Sequence, residues 1–95
     1  MKITVEFLSL PNVAKMVGAR TITMDFSGRT VDDLIHQVAD RYGARVRQFL
    51  LDETGQLDPT LKVTVNKQDW IPRDQMDRPL GDGDNVTILM LVSGG

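Results

Sequence analysis

Few residues in this chain can do chemistry, and the informative ones are Val92-Ser93-Gly94-Gly95, directly after an apolar run. A stretch with so little side-chain bulk is either a frayed tail or a thread that enters a narrow active site and presents its carboxylate to another enzyme. A carboxylate ionised at neutral pH is a poor electrophile, because attack adds negative charge to a group that already carries one. Its use as an acyl donor requires activation by ATP, supplied by a partner. The chain itself lacks the usual means. It has no Cys, which excludes disulfides, thiolate metal sites, iron–sulfur clusters and Cys nucleophiles. His36 is the only histidine, so His-based metal sites and most Ser-His or Cys-His triads lack their parts. Gly81-Asp82-Gly83-Asp84 has neither the spaced oxygen ligands and final Glu of a calcium loop nor the Gly-Lys-Ser/Thr of a phosphate loop, and reads as a tight turn. The chain is therefore not expected to be an enzyme, and no catalytic residue or metal site is assigned.

Three further features bear on partners. Leu89 and Leu91 alternate with Ile88 and Met90 on the last strand, which puts two leucines on the face away from the core just before the tail, with Leu8 of the first strand beside them. That apolar patch is expected to be exposed and to dock a partner, unless a dimer or residues 44–60 cover it. Arg41, Arg45 and Arg47 form a small basic cluster, either a solvated face or a contact for an acidic partner. Trp70 is left open between core plug and contact residue. His36, about 100° around the helix from Ile35, is expected in solvent.

The elements that position these residues follow from periodicity. Met1, Ile3, Val5 and Phe7 alternate with polar residues, as do Ile22, Met24 and Phe26, giving two strands. Between them Ser9 to Ala19, with Pro11, Asn12 and Gly18, reads as a long, mobile loop. Thr30-Val31-Asp32-Asp33 carries a capping box, and Val31, Leu34, Ile35, Val38 and Tyr42 form one helical stripe that stops at a left-handed Gly43. Residues 44–60 read as a short helical or extended segment. Leu61, Val63 and Val65 mark a third strand, Trp70-Ile71 a short fourth, and Val86 to Val92 a strongly apolar last one. Two strands, a helix and then two or three strands is the order of a ubiquitin-like β-grasp, an α+β fold with a mixed sheet packed on one main helix. Its expected core is Ile3, Val5, Phe7, Ile22, Met24, Val63, Val65, Val86 and Ile88 facing the helical stripe.

Composition agrees with one such domain over residues 1–95. Hydrophobic residues make up 41% and charged ones 25%, ordinary values for a folded chain. Eleven Lys and Arg against thirteen Asp and Glu lack the basic surplus of a nucleic-acid binder. With no apolar run of about 18 residues and no signal-peptide core, the chain is expected in the cytoplasm and off the membrane.

In this layout the chain resembles the MoaD/ThiS family of ubiquitin-like sulfur carriers. The resemblance rests on Ile3-Thr4-Val5-Glu6-Phe7, Thr30-Val31-Asp32-Asp33-Leu34, Val65-Asn66, Leu80-Gly81-Asp82-Gly83-Asp84-Asn85-Val86-Thr87-Ile88 and Gly94-Gly95. It implies that the Gly95 carboxylate is adenylated by a ubiquitin-activating-type enzyme that uses ATP, then converted to a thiocarboxylate by a sulfur donor protein. Gly94, Ser93 and Val92 would be the thin tail entering the partner, and a partner synthase would take the sulfur. No cofactor would be bound stably. The tail departs from the prolines and Val-Ala common in the family. The length resembles the longer molybdopterin-type carriers, ahead of cysteine or homocysteine synthesis, with thiamine third. A protein modifier joined to lysines and a non-covalent β-grasp interaction module are the alternatives.

Overall fold

The alternation of the first strand folds as expected. In the structure, a computed structural model that describes residues 1–90, Lys2–Leu8 form β1 with Ile3, Val5 and Phe7 buried on one face. Helix α1 (Pro11–Val17) follows, then β2 (Thr21–Asp25), α2 (Val31–Tyr42), α3 (Ala44–Leu50), β3 (Leu61–Val65), β4 (Asp69–Trp70), a 3-10 turn over Arg73–Gln75, and β5 (Asn85–Met90). The sheet order is β2-β1-β5-β3-β4, with β1 and β5 parallel and the other neighbours antiparallel. This is the mixed β-grasp sheet that the element order implied.

Helix α2 covers the buried face of that sheet. The Thr30 hydroxyl accepts from the Asp33 amide at 3.1 Å, and the Asp33 carboxylate accepts from the Thr30 and Arg29 amides at 3.1 and 3.0 Å. The predicted capping box is thus complete. Val31, Leu34, Ile35, Val38 and Ala39 are buried against Ile3, Val5, Phe7, Met24, Val63, Val65, Val86 and Ile88 in one core. Ile22, expected among them, is only partly buried, because β2 is an edge strand. Gly43 has the positive φ expected, 94°, but its ψ of −179° is not the left-handed helical value. That conformation belongs to glycine, and it turns the chain directly from α2 into α3.

Two segments correct the sequence reading. The expected loop from Ser9 to Ala19 contains α1: Pro11 occupies the first turn, where its missing N–H costs nothing, Val13 is buried, and Gly18 ends the helix at φ 93°. Seven residues are too few to show a helical period, and the Pro, Asn and Gly that suggested a loop are here the helix's boundaries. Residues 44–60 split into α3, with Val46 and Leu50 buried, and an extended return in which Leu51 bridges Leu57. The last strand is described to Met90; Leu91 and Val92 lie outside the described residues. No helix among the described residues is long and apolar enough to cross a membrane.

Candidate functional site

β5 lies at the centre of the sheet, and its end at Met90 is the point from which residues 91–95 continue. Parallel pairing aligns Leu89 with Leu8, and antiparallel pairing aligns it with Lys62. The end of β1, the start of β3 and the end of β5 therefore share one rim of the sheet. Beside it, a groove of about 480 Å³ is lined by Phe7, Leu8, Ser9, Leu10, Pro11, Ala14 and Arg20.

On the sheet face turned away from α2, strand register sets two rows of side chains. The first runs Lys62, Leu89, Leu8. The second runs Trp70, Thr64, Thr87, Glu6. Leu8 is 42% exposed and Trp70 57%, whereas Leu89 is only 9% exposed. The expectation that Leu89 would be an open contact residue is corrected: a central strand is flanked on both sides, and its neighbours' side chains cover it. The Thr87 hydroxyl donates to the Glu6 carboxylate at 3.3 Å, and Lys67 reaches that carboxylate at 3.7 Å. The face thus offers apolar Leu8 and Trp70 around a satisfied polar row. Sequence reasoning left Trp70 undecided; its position just after the turn closing the β3–β4 hairpin is what places it at the open sheet edge. Leu91, Val92, Ser93, Gly94 and Gly95, which carry the tail assignments, lie outside the described residues.

The other candidates resolve into structural roles. In the 81–84 turn the Asp84 carboxylate accepts from the Gly81 amide at 2.8 Å and the Asn66 side chain at 3.1 Å, while Asp82 accepts from the Lys2 amide at 2.7 Å. The Gly81 amide and then Asn66 hold the Asp84 carboxyl below its ordinary value of 3.8. These groups bind the start of β5 to β1 and β3. His36 is not in open solvent: its Nε2 lies 2.8 Å from the Gly55 carbonyl oxygen, so Nε2 carries the proton and donates, fastening the 52–57 turn to α2. A cleft of about 570 Å³ beside it is lined in part by Asp32, His36, Arg73 and Asp74, with Arg73 already paired to Asp52 at 2.7 Å. The Arg41, Arg45, Arg47 cluster is dispersed. Arg41 lies over the Tyr42 ring, 5.4 Å from its centroid, and Arg47 pairs with Asp40 at 3.0 Å. Among the described residues no group of His, Asp or Glu is placed to hold a metal ion.

Residues 12–95 match the ThiS family, including the Gly94-Gly95 pair. The chain belongs to the ThiS family. Solved structures of similar fold cover nearly its whole length. Urm1 from Trypanosoma brucei is 27% identical with a TM-score of 0.73, over 99% of this chain and 95% of that one. A chain of the BexX/CysO complex from Amycolatopsis orientalis is 26% identical with a TM-score of 0.71, over 98% and 99%. SAMP1 from Haloferax volcanii superimposes over the whole of both chains with a TM-score of 0.78 at 20% identity. Among curated proteins there is no significant match. These likenesses establish the β-grasp fold of this ThiS-family chain.

Proposed function

We propose that this protein is a sulfur carrier whose Gly95 carboxylate is the working group. The carboxylate oxygen attacks the α-phosphorus of ATP in a partner activating enzyme, releasing pyrophosphate and leaving an acyl-adenylate. The terminal sulfur of a donor protein's persulfide then attacks the acyl carbon and expels AMP. A thiol cleaves the resulting acyl disulfide, forming a disulfide with the donor and leaving a thiocarboxylate, whose nucleophilic sulfur a partner synthase transfers to a small molecule. Molybdopterin or tungstopterin synthesis is the first choice of pathway, ahead of cysteine or homocysteine synthesis and thiamine. The observation that carries the reading is the family match running through Gly94-Gly95. The geometry supports it: β5 is the central strand, and near its described end Leu89 pairs with the exposed Leu8, so a partner gripping that rim meets the point from which the tail continues in sequence.

The test is the intact and C-terminal fragment mass of protein purified anaerobically from its native host. One oxygen replaced by sulfur on Gly95 is expected. Only unmodified carboxylate, with the activating enzyme abundant, rejects the carrier role. Recovery of Gly95 in amide linkage to lysines of other proteins favours the modifier use of the same activated group.

A further inference from the structure

Helices α1 and α3 pack against each other and border a groove of about 470 Å³ lined by Asn12, Lys15, Met16, Arg45, Gln48 and Phe49. Val46 and Leu50 turn α3 into the core, but Phe49, about 100° around the helix from Leu50, is 42% exposed. Beside Phe49 lies the half-buried Met16, which completes an apolar floor. Lys15 and Arg45 flank that floor, and neither makes an ion pair among the described residues. No carboxylate lines the groove.

This local sign runs against that of the molecule. Residues 7–24 and 41–51, which include both helices, hold five of the eleven Lys and Arg and none of the thirteen Asp and Glu. Six cations against thirteen anions remain elsewhere. A long polyanion such as a nucleic acid would meet repulsion from that surrounding charge, whereas a short segment feels only charges within a Debye length of about 8 Å. We propose that the α1/α3 groove docks an acidic segment of a partner protein, with an apolar side chain seated on Phe49 and Met16 and carboxylates meeting Lys15 and Arg45. This reading does not depend on sulfur chemistry at Gly95.

The test uses the full chain in its native host with Gln48 replaced by photoreactive p-benzoylphenylalanine, followed by sequencing of the crosslinked peptides. The expected adduct lies in a net-negative segment of another protein that contains a large apolar residue. The pair Lys15→Glu and Arg45→Glu should lower its yield roughly tenfold or more, as reversal of contact charges does. Phe49→Ser should lower it as well, each variant keeping the parent melting temperature. Deletion of Gly95 should leave the adduct in place, so failure of the carrier reading and failure of this one are separately visible. Absence of an adduct, an adduct on a second copy of this chain or on a neutral or basic segment, or an adduct indifferent to the charge reversal would overturn the proposal.

Discussion

Four aspartates are held below the ordinary value of 3.8: Asp25 by its hydrogen bond to Lys2, Asp33 by the Arg29 and Thr30 amides, Asp52 by the Thr54 hydroxyl, and Asp84 by the Gly81 amide and Asn66. A depressed carboxylate stabilises the fold fully above its unfolded pKa and stops doing so as pH falls through the lower folded one. The urea midpoint should therefore hold steady from about pH 7 to 5 and fall below about pH 4. Asp84→Asn should be less stable at neutral pH by about 1 kcal/mol, the scale of one hydrogen bond. Its difference from the parent should shrink in acid, which urea titrations at the two pH values check. The two leucines make a second contrast. Leu8→Lys, at an exposed position, should leave the melting temperature unchanged while weakening partner binding. Leu89→Lys puts a charge on a nearly buried site opposite Lys62 and should cost about 1–3 kcal/mol. Equal melting temperatures for the two would refute the burial of Leu89.

At the scale of elements, the β2–α2 junction shows how closely local chemistry and packing agree. A Cβ on Gly28 would sit 2.6 Å from the Asp33 Cβ and 2.7 Å from the Phe26 ring. Gly28→Ala should then push the ring and the cap apart and destabilise the protein by about 1–3 kcal/mol, more than Thr30→Ala, which loses the cap alone at about 1 kcal/mol. Thermal melts of the pair decide the order. The cap was legible in the residues because it uses a fixed spacing of Thr and Asp. Helix α1 was not, because so short a helix is made stable by burying Val13 and not by its own propensity.

For the whole molecule, stability is expected to rest on the packed sheet and helices, and the proposed chemistry on Gly95. Gly95 has no side chain to bury, so its deletion should leave the melting temperature within about 1 °C while abolishing adenylation, measured as ATP–pyrophosphate exchange with the activating enzyme. A large fall in melting temperature would contradict that separation. His36→Ala should release the 52–57 turn from α2, seen as faster amide exchange at residues 52–57 and not in β1 or β5.

Alternation and helical spacing alone determined the strand–strand–helix–strands order, the face each element buries, the capping box and the absence of thiol chemistry, since these depend on local spacing or on composition. Tertiary structure decided what depends on neighbours distant in sequence. Parallel pairing of β1 with β5 brings Leu8 beside Leu89 and lets flanking strands cover the latter. Helical spacing puts Arg45 with Phe49 and away from Arg47, but it is the meeting of α1 with α3 that brings Lys15 and Met16 to them. The Gly55 carbonyl, nineteen positions away, accepts from His36 and leaves its ring only partly exposed. Exposure belongs to the packed surface, and a one-dimensional pattern specifies which way a side chain points but not what stands over it.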